Sequence, residues 1–205
     1  GVDPDNGNPL WYMDEKDAND NLTGKRVTTS DYASASYYYV NKSSLPKVYG
    51  GFNTSLSWKG FDLSAIFAYS IGGYIYNRDI TMILHNGSLE GRDWSTEILK
   101  RWTPENRYTD VPALSTTSNN WNSASTRFLQ NNSYMRLKNL TLSYDLPKQW
   151  ISKLALSSVQ VFVQGDNLFT IHRNQGLDPE QGITGITYYR YPAMRTISGG
   201  INLSF

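Results

Sequence analysis

Apolar and polar residues alternate with a period of two in several long stretches of this chain. In KVYGGFNTSLSW (47–58), Phe52, Leu56 and Trp58 share one parity, and Asn53, Ser55 and Ser57 share the other. FDLSAIFAYSIGG, starting at 61, sets Phe61, Leu63, Ala65, Phe67, Tyr69 and Ile71 against Asp62, Ser64 and Ser70. SSVQVFVQGDNLFT (157–170) sets Val159, Val161 and Val163 against Gln160, Gln164 and Asp166. The final RTISGGINLSF (195–205) places Ile197, Gly199, Ile201, Leu203 and Phe205 opposite Ser198, Asn202 and Ser204. This periodicity puts alternate side chains on opposite faces of an extended strand. NSYMRLKNLTLSYDLP (132–147) is less regular. Leu140, Leu142, Tyr144 and Leu146 agree in parity, yet Arg136 and Lys138 share it; a bulge near Asn139 and a change of depth both reconcile them. A shorter sixth strand is predicted from Pro9 to Asp14.

The links between these strands are unequal. Lys59-Gly60 suits a two-residue hairpin turn, and PKQWISKL (147–154) suits one or two helical turns. The remaining connections, about 15–46, 72–131 and 170–193, are long and rich in Asn, Ser, Thr, Gly and aromatic residues. If neighbouring strands are antiparallel, the short links gather at one end and the long ones at the other. That asymmetry belongs to transmembrane barrels, with short periplasmic turns and long extracellular loops; a secreted carbohydrate-binding β-sandwich would mix loop lengths. Strands of about 12–14 residues span roughly 40 Å, enough to cross a tilted hydrocarbon layer. Tyr49, Trp58, Tyr69, Tyr74, Tyr144 and Trp150 near strand ends suit interfacial girdles. The expected fold is therefore all-β, a portion of an antiparallel transmembrane β-barrel. Six strands are too few to close such a barrel, so the chain is expected to be part of a larger one.

Composition agrees with this. The 205 residues are 39% hydrophobic and 18% charged, with 15 Tyr, no Cys and a net charge of +1. The near-neutral balance gives no basic face for nucleic acid, and without Cys there is no disulfide scaffold or thiolate chemistry. No stretch approaches the 18 apolar residues of a membrane helix, but barrels cross with weakly alternating strands instead. The opening GVDPDNGNPLWY has neither an initiator Met nor a signal-peptide pattern, so the chain is expected to begin inside a longer polypeptide.

Catalytic chemistry is hard to assemble from these residues, and no enzyme is expected. His85 and His172 fall in long loops without triad or metal spacing and are expected to be solvated. Asp14–Asn21 (DEKDANDN) carries enough oxygen ligands to raise calcium. It lacks the D-x-[DN]-x-[DN]-G spacing, and Lys16 sits among the acids, so a solvated turn is preferred and no cofactor is expected. GVDPDNG and GLDPEQG read as Asp-Pro turns. The loops do offer flat aromatic faces and guanidinium groups: Arg92, Trp94, Trp102 and Trp121 in the 72–131 connection, and Tyr188, Tyr189 and Arg190 in the last one. Such groups suit sugar rings or peptide side chains, or contact with a covering partner protein. RDWSTEILKRW (92–102) is expected to contain a short helix capped by Asp93, with Ile98, Leu99 and Trp102 on one side.

In order and spacing, the segments GVDPDNGNPLWY, PKVYGGFNTSLSWKGFDLSAIFAYSIGGYIYN, RWTPENRYTDVPAL, NNSYMRLKNLTLSYDLPKQW, VQVFVQGDNLFT, GLDPE and YPAMRTISGGINLSF resemble the C-terminal barrel portion of SusC/RagA-like TonB-dependent outer-membrane transporters of the Bacteroidetes. The resemblance covers nearly the whole chain. It implies a barrel of about 22 strands, plugged by an N-terminal domain that is absent from these residues, with this chain supplying about six of the strands. It implies import of oligosaccharides or peptides and a SusD-like surface lipoprotein acting as a lid. Other implied partners are the rest of the barrel and its plug, the TonB complex through the missing N-terminal region, and the barrel-assembly machinery. Ile201, Leu203 and Phe205 look like the assembly signal of a closing strand, with Gly199 and Gly200 leaving room for twist or a bulge at the seam. The stretch DEKDANDNLTGKRVTTSDYASASYYY (14–39) departs from the family's shorter Asp/Asn/Gly-rich turn. The alternative within the outer membrane is a structural or adhesion barrel without active transport.

Overall fold

Strands form wherever the two-residue alternation is sustained and stop where turn residues interrupt it. A computed structural model describes residues 1–205 except 88, 118, 119, 153–155, 175, 177, 181 and 188. In chain order its strands are β1 (Trp11–Lys16), β2 (Leu22–Thr29), β3 (Val48–Trp58), β4 (Phe61–Ile71), β5 (Tyr74–Tyr76), β6 (Leu129–Asn131), β7 (Tyr134–Asp145), β8 (Ser158–His172) and β9 (Thr196–Ser204). The five long ones form a single antiparallel sheet in the order β3-β4-β7-β8-β9, while β1 pairs with β2 and β5 with β6. Among the described residues no helix is long and apolar enough to cross a membrane.

The chain divides into two compact units. One is residues 1–41 with 77–129; the other is residues 42–76 with 130–205. The second unit holds the five-stranded wall. Its register lines up rows of like residues from strand to strand. Trp58, Phe61, Tyr144, Val161 and Ile201 make one row, and Leu56, Leu63, Leu142, Val163 and Gly199 the next. The opposite face carries Ser55, Ser64, Thr141, Gln164 and Ser198 in one row. In the apolar rows Leu56, Leu63, Leu142 and Val163 are 68%, 40%, 42% and 47% exposed. An apolar surface this continuous marks a face that meets something other than water.

The irregular parity of β7 comes from a bulge at Lys138. Ile66 of β4 pairs with Asn139 while Phe67 pairs with Leu137, so Lys138 is the extra residue. The insertion reverses the parity of everything before it. Leu137 joins the apolar row of Phe67 and Phe169, and Arg136 passes to the polar face beside Thr170. Of the two accommodations open to the sequence, the bulge is the one adopted.

All short links of the wall lie at one end. Lys59 and Gly60 join β3 to β4 with φ of 48° and 86°, the paired left-handed geometry whose twist matches the flanking strands. Gly60 suits its position, since a Cβ there would lie 3.2 Å from the carbonyl oxygen of Asp145. A short helix, α1 (Lys148–Ile151), begins the link from β7 to β8. The residues after β4, before β7 and between β8 and β9 all leave from the opposite end. Gly199 and Gly200 do not form a bulge. They pair in regular register with Val163 and Phe162, and the Phe162 ring lies over Gly200, where a Cβ would come within 2.8 Å of it.

The sixth strand exists but is not part of the wall. The predicted Pro9–Asp14 becomes β1, slightly shifted, and it pairs with β2 inside the segment expected to be loop. This hairpin belongs to the first unit, whose core includes Leu84, Ile98, Val111, Trp121 and Phe128. The turn between β1 and β2 is closed by Asp17, whose carboxylate accepts from the backbone N–H groups of Asn19 and Asn21 at 2.8 and 2.9 Å. Lys16 pairs with Asp20 at 2.8 Å. The segment 92–102 contains a 3₁₀ helix, Thr96–Lys100, capped by Ser95 rather than Asp93. Ile98 is buried as expected, but Leu99 is 73% exposed because the tighter helix rotates it off that face.

Candidate functional site

Two constructions in the connecting segments stand out, one in each unit. In the second unit the final connection is tied to the wall by charge. Arg136, brought to the polar face by the bulge, donates from Nε to Thr170 Oγ1 at 2.8 Å, from Nη1 to Glu180 Oε2 at 2.7 Å and from Nη2 to Asp178 Oδ1 at 2.6 Å. Lys138, at the bulge itself, reaches both Glu180 oxygens at 2.7 Å. The Arg136 and Asp178 side chains are only 4% and 5% exposed. Asp178 also accepts from the N–H groups of Glu180 at 2.9 Å and Ala193 at 2.6 Å. Burial alone would raise the Asp178 carboxyl, but donation from Ala193, Arg136 and Glu180 outweighs it and holds the group below the usual carboxylate range. Within the expected Asp-Pro turn, Asp178 and Glu180 therefore anchor the final connection to the wall; Leu177 and Gln181 lie outside the described residues. The neighbouring groove, about 630 Å³, is bordered by Arg190, Arg195 and His172 as well as Arg136.

In the first unit the β1–β2 hairpin and the segment after it close against residues 121–127 to leave an aromatic cleft of about 250 Å³. The Trp11 and Tyr32 rings meet edge to face, 5.3 Å apart. Tyr32 donates to Ala124 O at 2.8 Å, and Tyr38 donates to Asp14 Oδ1 at 2.9 Å beneath the Arg26 guanidinium. Trp121 is 3% exposed and donates from Nε1 to Leu84 O at 3.0 Å. The Arg127 guanidinium lies 3.7 Å over the Trp121 ring. Burial lowers the Arg127 pKa to about 10, an effect the Asp110 carboxylate only partly offsets, so the group stays cationic at neutral pH.

Of the sequence-selected residues, Arg92, Trp94, Trp102 and Trp121 fall in the first unit and Tyr189 and Arg190 in the second. Trp121 forms the floor of the aromatic cleft. Trp102 donates to Pro4 O at 3.1 Å and holds the GVDPDNG turn. Trp94 donates to His85 Nδ1 at 3.0 Å and stays 46% exposed, while Arg92 is exposed. Tyr189 is exposed with φ of 42°, and Arg190 borders the groove beside Asp178. Tyr188 lies outside the described residues. His172 is exposed, as expected, but His85 is not: it is 1% exposed and packed against Trp94. The Arg136 anchor and the Arg127 cleft were not selected from the sequence. Their only signal was the pair of cations breaking the parity of β7, and for Arg127 there was none.

Trp121→Phe, which removes the indole donor to Leu84 and narrows the platform under Arg127, is expected to cost the first unit about 1–2 kcal/mol. Hydrogen exchange in the intact protein should then accelerate at residues 84–86 and 121–128 while the wall strands stay unchanged. Uniform acceleration across both units would contradict the assignment of Trp121 to the first unit's core.

No protein-family model matches the chain. The TonB-dependent receptor P3 of Formosa agariphila is 33% identical over 166 residues, covering 76% of this chain and 16% of that protein. The TonB-dependent receptor SusC of Bacteroides thetaiotaomicron is 27% identical over 168 residues, 82% of this chain and 16% of SusC. A solved structure of the RagAB peptide transporter matches all of this chain and 22% of its own, at 35% identity and a TM-score of 0.82. The chain thus spans about a sixth of the length of the curated relatives it matches.

Proposed function

The chain belongs to the SusC/RagA-like TonB-dependent receptors, and from that premise we propose that it forms about five strands of the wall, with long outer loops, of an outer-membrane barrel importing oligosaccharides or peptides. The family consists of transporters and receptors rather than enzymes. The observation that carries the reading is the wall itself: apolar rows run across five strands on one face and polar rows on the other, with every short link at one end. Such a sheet fits lipid outside and a hydrated or plugged lumen inside. The end bearing Lys59-Gly60 and Phe205 is then periplasmic, and the two units' long connections are extracellular. Ile201, Leu203 and Phe205 supply the outward face of the strand recognised during barrel assembly. Trp94 in one outer connection and Tyr189 in another are each placed to contact a SusD-like lipoprotein lid or the entering substrate. The remaining strands, the plug and the TonB-contacting segment come from the rest of the protein.

The test is purification of the full-length protein from detergent-solubilised outer membranes, with the accompanying proteins identified, alongside uptake of labelled oligosaccharides and peptides by cells. Copurification of a surface lipoprotein, with uptake lost when the gene is deleted, is expected. A membrane-embedded protein without a lipoprotein and with unchanged uptake would favour the non-transporting barrel. A protein that stays folded and monodisperse without detergent would remove the membrane reading altogether.

A further inference from the structure

The outer third of β8 is paired along one edge only. β8 continues to His172 beside β7, but its pairing with β9 stops at Asp166 and Thr196. Among the described residues no backbone hydrogen bond joins Asn167–His172 to residues 190–195, which border the same groove. The gap is built in. Asn167 has φ of 52°, a left-handed residue that interrupts the ladder, and its Nδ2 donates to Met194 O at 3.2 Å. Ala193 gives its N–H to Asp178 Oδ2 at 2.6 Å instead of to β8, and Pro192 has none to give. At about 3.3 Å per residue, Asn167–His172 leaves roughly 20 Å of open edge. Both sides of the gap come from consecutive strands and the connection that joins them. A row of unpaired backbone groups is a template for a further strand.

The groove along this edge is cationic on one part of its lining and apolar on another. Arg190 and Arg195 line it, both exposed and neither held by an ion pair or hydrogen bond among the described residues. Asp178, the carboxylate among the described lining residues, is already engaged by Arg136 and by the N–H groups of Glu180 and Ala193. Phe169 and Met194 add apolar surface, 44% and 82% exposed. An open strand edge selects an extended chain with a regular row of amides, which a sugar chain lacks, and guanidinium forks select carboxylates. Resting on the transport reading, we propose that this groove takes an extended acidic peptide of the imported cargo, added as a strand along Asn167–His172. Arg190 and Arg195 receive its carboxylates. A strand turns alternate side chains to opposite faces, so the residues between the acidic ones lie against Phe169 and Met194.

The experiment is equilibrium binding of a blocked Glu-Val-Glu-Val peptide to the full-length transporter in detergent. Its comparators are the Gln-Val-Gln-Val peptide, two analogues N-methylated at either the Glu or the Val residues, and tetragalacturonate. The acidic peptide is expected to bind roughly tenfold or more tightly than its glutamine counterpart, as charge-assisted contacts give. One N-methylated analogue should lose binding and the other keep it, because an added strand turns only alternate N–H groups to its partner. Arg190→Gln combined with Arg195→Gln should erase the acidic preference and leave the glutamine peptide's affinity unchanged, which reports an intact edge. Both side chains are exposed, so the wall is undisturbed. The site is overturned if the glutamine peptide binds equally well, if the preference survives in the double variant, if the two N-methylated analogues behave alike, or if tetragalacturonate outbinds the peptide. Binding in detergent needs no energy source. Its absence with uptake intact rejects the site alone, whereas specific binding with uptake unchanged on gene deletion rejects the transport reading and leaves the groove a peptide site.

Discussion

Leu142→Arg is expected to deplete the folded transporter from the outer membrane severely. Leu142 sits between Leu63 and Val163 in the middle of an apolar row, on a face open to the chain's surroundings. If that row meets lipid, an arginine near the bilayer midplane costs about 2–4 kcal/mol. Its row neighbours Leu63 and Val163 are aliphatic and would not receive the charge. Ser64→Arg is the matched control. Ser64 lies on the opposite face, in the row of Ser55, Thr141, Gln164 and Ser198, where a charge can stay hydrated. The heat-modifiable fraction of the barrel on gels of isolated outer membranes separates the two. Loss with Leu142→Arg and near-normal assembly with Ser64→Arg is the expected pattern. Equal loss with both would mean that the apolar rows do not face lipid.

The second large effect concerns the anchored loop. Arg136→Ala removes the donor to Asp178, Glu180 and Thr170 together and takes the Arg136 charge away from a carboxylate whose side chain is 5% exposed. Removing one member of a buried pair costs about 3–5 kcal/mol. The wall need not unfold to relieve this, because the loop carrying Asp178 can detach, and the cost is then capped by the free energy of local opening. The expected result is rapid proteolysis between residues 176 and 194 in a transporter whose barrel mobility on gels is unchanged. Wild-type resistance of that loop in the variant would show that the pair does not hold it.

The same anchor has a pH signature. Asp178 is held below its ordinary carboxylate range, so its contribution is fully present above the unfolded value, near 3.9. It is lost as the pH falls through the lower folded value. Loop protection should therefore be flat from about pH 5 to 8 and disappear only in stronger acid. A midpoint near neutrality would point to another group.

Most of the wall was legible because its physics is local. Alternation fixed which residues of β3, β4, β8 and β9 share a face, and the Lys59-Gly60 pair is a backbone requirement that any sequence reader can see. The β1–β2 hairpin was misplaced for a related reason: alternation identifies a strand but not its partner, and β1 finds β2 instead of the wall. His85 looked solvated because nothing near it in sequence announces Trp94 as a donor into its ring. Arg136 with Asp178, and Arg127 over Trp121, are contacts across 42 and 6 residues respectively. Arg136 shows only as a break in the parity of β7, and Arg127 leaves no periodic trace. Of twist or a bulge at Gly199 and Gly200, the bulge is not adopted, and Gly200 makes room for a ring on the next strand.

Lys138 makes β7 two strands of opposite grammar joined end to end. After it in sequence, toward the short links, even-numbered residues carry the apolar face, and before it, in the upper half, odd-numbered ones do. A substitution map of β7 should therefore switch phase at this residue, hydrophobic tolerance moving from Leu140 and Leu142 to Leu137 and Met135. Deleting one residue here would turn the upper half over as a block, sending Arg136 outward. Changes of length in this strand are thus far more dangerous than changes of identity.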